Sequence, residues 1–553
     1  IDGTIGTDAD NRPTFDLNAV VRAGSLHPLA GEFATAFDTV NLRLRPDVID
    51  FTGSSETVRA SGSVRAVPDA PPVLDVNVVA VGLELTEALR ADLPETARFA
   101  WDWLDLMGRT DAELTFTGPL GGDATRRDAD FTLTLDPLAL RIKPEAIPYQ
   151  LENVRGRVIV RPDSVELQNL TASKGNGVAI GLSGRGFTVR EMDGLEKTQW
   201  ELDLRATDVP VDEELVAALP EALAELATDL ELQGRLDVSL PDLRIVPSGV
   251  DAEPDVTFSG SVAGSGLAMN VGVRVGDADG RFDITRASVA GGKLKLLDAT
   301  ATATKLTLAD RPAANVSADL DLVENSDVLK LADLRGQWCG GQFVGDATLR
   351  VPENGDQSYV LNMTLHQADV ATLAGGVAVT ADDAPITAQL TASLTAEGML
   401  GDAGSRRGRG DLTVVGTGGD DDGRGGRMVK LPLMVGLVQV INLALPNENA
   451  FTNANAAYAL SGEKLVVEAL ELTGGDVALR GNGTIDFATR DVALTLSSTN
   501  VGLEKMPLLG GLLGTARDEL LTIRVLGKLE KPEVRAVPLN TFQTTVDEVL
   551  RGG

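Results

Sequence analysis

Residues 470–496 read Leu-Glu-Leu-Thr-Gly-Gly-Asp-Val-Ala-Leu-Arg-Gly-Asn-Gly-Thr-Ile-Asp-Phe-Ala-Thr-Arg-Asp-Val-Ala-Leu-Thr-Leu. From Val477 to Phe487 the odd positions are apolar or glycine, whereas the even positions include Arg480 and Asp486. This period of two predicts a β-strand with one apolar face and one polar face. Two glycines stand in the middle of the apolar face, where glycine favours a bend or strong curvature.

The same alternation recurs along the chain, and turn signals such as Pro-Asp, Gly-Gly and Asn-Gly separate the alternating segments. Each of four further segments places one apolar set on a single face: Leu74, Val76, Val78 and Ala80; Trp200, Leu202, Leu204 and Ala206; Ala318, Leu320 and Leu322; Tyr359, Leu361, Met363 and Leu365. The pattern predicts a mostly β protein. We expect an elongated, twisted antiparallel sheet, curved into an open groove with a few short helices.

Helical patterns are few and short. They cover residues 85–107, 212–230, 369–375, 433–443, 506–521 and 541–550, and the Gly, Arg and Asp-rich segment 406–427 is interpreted as a loop or linker. These helices are too few to cover so much apolar surface. A one-sided sheet must bury its apolar face against another layer. A second sheet, as in stacked β-sandwiches, and lipid are both open at this point.

Composition narrows the possible partners. The 553 residues carry 49 basic and 81 acidic side chains, so the formal charge is 49 − 81 = −32. Such a surface repels nucleic acid and anionic headgroups but does not exclude neutral acyl chains. Aromatic residues make up only 4% of the chain, which disfavours a carbohydrate-binding groove. We divide the chain into β-groove repeats at 1–240 with two helical insertions, repeats at 241–400, and a C-terminal region at 401–553, all expected in one continuous sheet.

No sequence motif indicates catalysis. Residues 181–184, Gly-Leu-Ser-Gly, lack the second glycine and the following helix of a nucleophile elbow, and we interpret them as a strand turn. His27 and His366 lack metal-ligand neighbours in sequence, and Cys339 is interpreted as a small buried residue. We therefore predict that the protein is not an enzyme and has no catalytic residues, metal or cofactor.

The C-terminal third resembles the AsmA-like proteins of double-membrane bacteria. The resemblance rests on an order of features rather than on one motif. These features are Gly340-Gly341-Gln342-Phe343-Val344-Gly345, the strand 359–365, the short helix at 370–373, Gly398 and Gly410, Leu431-Pro432-Leu433, Phe451, the strand pair 466–496 and the closing segment 521–532. The N-terminal half is similar to the family only in its general texture, and residues 416–426 look like an insertion.

AsmA-like proteins are grouped with bridge-like lipid transfer proteins built of repeating β-groove units. The resemblance implies a periplasmic lipid conduit between inner and outer membranes that contributes to outer-membrane biogenesis. It also implies an inner-membrane anchor before Ile1, with membrane proteins as further partners. No catalytic residues accompany the family.

Alternation selects the side chains expected to contact phospholipid acyl chains: Leu202, Leu204, Leu320, Leu322, Leu361, Met363, Leu365, Leu479, Ile485, Phe487, Leu494 and Leu496. The alternative functions are a structural or adhesive β-sandwich array of the cell envelope and a carbohydrate-active β-helix enzyme.

Overall fold

A computed structural model of the chain describes most of its residues. The described ranges are 1–7, 13–26, 35–87, 90, 105–119, 130–143, 149–175, 177–190, 196–219, 221–246, 254–270, 273–324, 326–352, 356–374, 388–417, 452–474, 477–501, 521–528 and 531–538. Within these ranges 29 strands belong to one antiparallel sheet. The prediction of a mostly β, antiparallel protein is therefore confirmed.

Residue contacts divide the chain into two compact units. Unit 1 comprises residues 1–264 and 283–295, and unit 2 comprises residues 265–282 and 296–553. The strands wholly in unit 1 are β1 (Asp2–Thr7), β2 (Pro13–Leu26), β3 (Thr35–Arg45), β4 (Val48–Ser54), β5 (Val58–Val67), β6 (Ala70–Leu85), β7 (Gly108–Pro119), β8 (Asp130–Pro137), β9 (Leu140–Ile142), β10 (Leu151–Arg161), β11 (Ser164–Lys174), β12 (Val178–Arg190), β13 (Glu196–Pro210) and β14 (Gln233–Val246).

Three strands contribute residues to both units: β15 (Asp255–Asn270), β16 (Arg274–Ala290) and β17 (Lys293–Leu308). The strands wholly in unit 2 are β18 (Arg311–Leu322), β19 (Val328–Trp338), β20 (Gly341–Arg350), β21 (Ser358–Asp369), β22 (Ala388–Met399), β23 (Arg407–Gly416), β24 (Asn453–Ser461), β25 (Lys464–Gly474), β26 (Val477–Asp486), β27 (Asp491–Val501), β28 (Leu521–Lys528) and β29 (Lys531–Pro538). Within each unit strands pair with their chain neighbours, except that β10 pairs with β9 through its first half and with β8 through its second.

The described helices are short and interrupt the meander. Unit 1 contains α1 (Glu213–Ala218) and α2 (Glu221–Asp229), both between β13 and β14. The side chain of Asp212 accepts a hydrogen bond from the amide of Leu215, as expected for an N-cap. Unit 2 contains α3 (Val370–Ala374) and a 3-10 turn at Ala403–Ser405. The prediction of helix within 369–375 is thus confirmed, and the segment 212–230 is helical as predicted but forms two helices instead of one. Most of 85–107 and all of 433–443 and 541–550 lie outside the described residues, as does 506–521 apart from its last residue, which begins β28.

The interpretation of 406–427 as a linker was wrong for its first part, because residues 407–416 form β23. Along β23, Gly408, Gly410, Leu412 and Val414 occupy one face, and the arginines occupy the other. The ring of Tyr458 on β24 lies over Gly410, where a Cβ atom would come within 2.6 Å of the Tyr458 hydroxyl. A large side chain on the neighbouring strand therefore fills the space that glycine leaves. Glycine content alone gave the wrong prediction. The remainder, 418–427, lies outside the described residues.

Bulges occur along the sheet wherever strand register shifts. At many of them one residue adopts a positive φ angle: Gly82, Asn153, Asn169, Asp208, Asn315, Asp333 and Gln367. A bulge bends its strand and increases the local twist. Several backbone amides at bulges donate a hydrogen bond to a side chain of the next strand instead of to a backbone carbonyl of that strand. The amide of Gly82 donates to Asp111 Oδ1 at 2.6 Å, and that of Asp208 donates to Asp237 Oδ1 at 2.7 Å.

Candidate functional site

Unit 1 has one continuous apolar face, which strand register defines across β2–β14. In its first part, one row runs directly across seven strands through Ala19, Leu42, Phe51, Gly62, Val76, Phe116 and Phe131. In its last part, one row joins Gly186, Trp200 and Ile245, the next joins Gly184, Leu202 and Leu243, and the next joins Leu182, Leu204 and Leu240. We call this surface the unit 1 apolar face.

The opposite face of unit 1 is polar and carries cross-strand ion pairs. Arg185 and Glu201, which lie directly opposite each other on β12 and β13, approach to 2.8 Å. Arg43 donates two hydrogen bonds to Asp16, and this contact lowers the pKa of the Asp16 carboxyl. These side chains are exposed, so each pair contributes little stability. The charged side chains favour exposure of this face to water, so the opposite, apolar face is the one that another layer or a ligand would cover.

Unit 2 has an equivalent surface across β17–β29, the unit 2 apolar face. One row joins Ala347, Leu361 and Ala396 on β20–β22, and the next joins Gly345, Met363 and Leu394. A row on the last strands joins Leu470, Gly481, Leu496, Ile523 and Ala536. Arg480 lies on the opposite face and donates to Glu471 at 2.6 Å.

Eleven of the twelve predicted lipid-contacting residues lie on these two faces. Leu202 and Leu204 lie on the unit 1 apolar face. The other nine lie on the unit 2 apolar face: Leu320, Leu322, Leu361, Met363, Leu365, Leu479, Ile485, Leu494 and Leu496. Phe487 lies in the turn after β26 and is 54% exposed. Whether any of them contacts lipid stays a prediction.

The degree of burial separates two parts of these surfaces. On β25–β28 a set of side chains, which we call the C-terminal cluster, is at least 98% buried: Leu472, Leu479, Val492, Leu494, Leu496, Ile523 and Val525. By contrast, Leu202, Leu204, Leu361 and Met363 are only partly buried. The C-terminal cluster is therefore a dry core, whereas the other four side chains keep apolar surface exposed to solvent.

The sequence-based selection missed much of the unit 1 apolar face. Phe51, Val76 and Phe116 lie on it, although none was selected as a lipid contact. The sequence did contain a signal for this face, because the alternation of apolar and polar residues had already placed Val76 on an apolar strand face. Trp200 was also assigned to its apolar strand face but not selected, and its ring lies over Gly186. Period two identifies the face of each strand, but only register shows which strands share that face.

The residues that the sequence analysis considered as candidate catalytic or metal-binding groups lie in positions where they serve the fold. Residues 181–184 lie inside β12 rather than in a turn, and the Ser183 hydroxyl accepts a hydrogen bond from the bulge amide of Asn169 at 3.1 Å. Cys339 is fully buried, as predicted, and burial raises the pKa of its thiol. Among the described residues, no group of three or more His, Cys, Asp or Glu side chains is arranged to hold a metal ion.

One polar cluster lies at the margin of the unit 1 apolar face. Lys174 is the last residue of β11 and pairs with Val178, whose side chain belongs to the apolar face. Its ammonium is 2.6 Å from Glu214 Oε2 of α1 and lies 3.7 Å from the ring centre of Tyr149. The amide of Gln150 donates to Glu214 Oε1 at 3.2 Å. These contacts lower the pKa of Glu214, chiefly through Lys174, whereas burial raises the pKa of Tyr149.

No helix in the described part of the chain has the length and apolar character needed to cross a membrane.

Comparison of the chain with protein-family models, with curated proteins and with solved structures finds no match in any of the three.

Proposed function

We propose that the protein is a non-enzymatic lipid-binding β-groove that carries phospholipid between the inner and outer membranes of a double-membrane bacterium. The observation that supports this function best is the unit 1 apolar face, which is continuous by register over thirteen strands and partly exposed at Leu202 and Leu204. Exposed apolar area costs about 25 cal/mol per Å² in water. Where the face is partly exposed, as at Leu202 and Leu204, it therefore favours an apolar ligand such as an acyl chain.

The charge distribution supports the same proposal. Charged side chains such as Arg185 and Glu201 lie on the opposite face, so an acyl chain on the apolar face would not have to pass them. Burying an unpaired charge against hydrocarbon would be costly. The proposed location is the periplasm, with an inner-membrane anchor and membrane proteins as partners, and this part rests on the resemblance to AsmA-like proteins.

A second candidate function has one observation in its favour. The C-terminal cluster is as dry as the core of a β-sandwich, which is the arrangement expected of a structural or adhesive protein of the cell envelope. The two functions differ in what covers Leu204 and Met363 in the working protein: acyl chains in the first case, and protein in the second.

Photo-crosslinking in the full chain tests the proposed function. A crosslinking residue at position 204 or 363 should capture phospholipid from vesicles, because both side chains lie on an apolar face and are partly exposed. The matched controls are the adjacent residues Arg205 and Asn362, which point to the opposite face of the same strands. Capture at 204 and 363 but not at 205 and 362 supports the groove. Equal capture on both faces, or none, contradicts it.

A further inference from the structure

The Lys174 cluster is a polar site built at the edge of an apolar surface. Lys174 follows Leu170 and Ala172 on the apolar face of β11, at the end of the strand, where a hairpin turn leads to β12. At about 3.3 Å per residue, its Cα lies about 13 Å along the strand from that of Leu170. An acyl chain lying over Leu170 and its neighbour Leu182 would thus place its headgroup near the strand end.

The cluster has unused capacity for hydrogen bonding. Tyr149 is only 6% exposed, and its hydroxyl has no acceptor for its own proton in the described part of the chain. The ammonium of Lys174 is buried, and its close contact with Glu214 is poorly directed for a hydrogen bond. Buried polar groups of this kind normally have partners.

Glu214 supplies an internal anion to this site. Its carboxylate is the described group that neutralises Lys174, and it is carried by α1, whose Leu215 and Ala218 pack against Tyr149, Val178 and their neighbours. Glu214 itself stays 43% exposed in its side chain. It can therefore leave Lys174 for water at a modest cost, whereas the buried ammonium then requires another anion.

We propose that Lys174 and Tyr149 form a binding site for the phosphate of a phospholipid headgroup, and that Glu214 occupies this site until a lipid displaces it. This inference rests on the proposed lipid-binding function. A phosphodiester offers Lys174 a charge-assisted hydrogen bond and gives the Tyr149 hydroxyl an acceptor. Since the chain has a net charge of −32, a zwitterionic phospholipid is favoured over an anionic one.

The test compares two lipids that differ only in the phosphate headgroup. Binding of phosphatidylethanolamine and of diacylglycerol with the same acyl chains is measured by displacement of a fluorescent fatty acid from the full chain. Glu214→Gln should raise the affinity for phosphatidylethanolamine by about tenfold, the effect of one charge-assisted hydrogen bond, and leave diacylglycerol unchanged. Lys174→Gln should abolish the preference for phosphatidylethanolamine.

Glu213→Gln is the matched control, because it removes the same charge from the same turn of α1 without contact to Lys174. It should change neither affinity. Hydrogen exchange of α1 checks that each variant keeps the helix folded. If Glu214→Gln changes both lipids equally, or neither, the headgroup site is wrong and Glu214 only fastens α1. If the unsubstituted protein binds neither lipid, the proposed function fails and the headgroup site fails with it.

Discussion

Single glycines permit close strand contacts on the apolar faces. Gly184 in β12 lies opposite Leu202 and has a φ angle of 149°. A Cβ atom there would come within 2.2 Å of the Glu201 carbonyl oxygen and 2.8 Å of Leu202 Cα. No side chain can be added without separating β12 from β13. Leu202 packs over the glycine and restores the apolar contact that a second side chain would have made.

The first prediction follows from this contact. Gly184→Ala should destabilise the protein by about 1–3 kcal/mol or more, because it overpacks a close backbone contact. The control is Gly181→Ala in the same strand, where a Cβ atom would meet nothing within 4 Å. This control should stay within about 1 kcal/mol of the unsubstituted protein. Chemical denaturation of both variants measures the difference, and equal effects would show that the close contact at Gly184 is unimportant.

At the scale of elements, bulges are fixed by side chains of the neighbouring strand. In β6 the register shifts between Ala80 and Leu83, and the amide of Gly82 leaves the ladder to donate to Asp111 on β7. The same arrangement recurs at Asp208 with Asp237. A side chain on one strand thus accepts the amide that the bulge in the preceding strand frees from the ladder, and a bulge bends its strand.

The second prediction tests one of these contacts. Asp111→Ala removes the acceptor for the Gly82 amide and should cost about 1.5–3 kcal/mol, the range for a hydrogen bond to a charged group. Asp111→Asn keeps an acceptor oxygen and should cost less than about 1.5 kcal/mol. Hydrogen exchange of the Gly82 amide provides the specific readout. Unchanged protection in Asp111→Ala would contradict the role of this side chain in fixing the bulge.

The third prediction concerns the pH dependence of α1. Contact with Lys174 lowers the pKa of Glu214 below its ordinary value of 4.5. The charged carboxylate therefore favours the folded state at any pH above that ordinary value. This contribution is lost as the pH falls from 4.5 through the lower pKa of the folded state. The difference in unfolding temperature between the unsubstituted protein and Glu214→Gln should be constant near neutral pH and vanish in acid. A difference that persists in acid would contradict this account.

At the scale of the whole molecule, residues with the same sequence pattern differ in what surrounds them. Leu204 and Leu494 both lie on an apolar strand face, yet Leu204 is partly buried and Leu494 is only 2% exposed. Charge introduced at these two positions therefore has different consequences. A carboxylate at 494 would be buried among Leu479, Leu496 and Val525 without a partner.

The fourth prediction uses this contrast. Leu494→Asp should cost several kcal/mol, because it buries an unpaired charge, and this is a large part of the about 5–15 kcal/mol that stabilises an ordinary domain. Leu204→Asp should leave the chain folded, since the carboxylate can reach water, and should reduce phospholipid binding. Thermal unfolding and lipid binding of the full-length variants measure both effects. Unfolding by Leu204→Asp would favour the β-sandwich alternative.

The sequence by itself determined the strand-forming alternation, the face of each side chain and the helices that have local signals. Ala318, Leu320 and Leu322 were assigned to one face from period two alone, and helices within 212–230 and 369–375 were predicted from local patterns. These features depend on neighbours within a few residues, so they can be read locally.

Only the tertiary structure decided which strands share a face, where the bulges lie and which apolar residues are dry. Residues 407–416 form a strand that pairs with β22 and β24, and Tyr458 on β24, 48 positions further along the chain, fills the space above Gly410. Lys174 meets Glu214 only because α1 folds back onto the end of β11. Leu494 is fully buried and Leu204 only partly, although their sequence patterns are alike. Burial, register and ion pairing depend on segments distant in sequence, and the period of two contains no information about them.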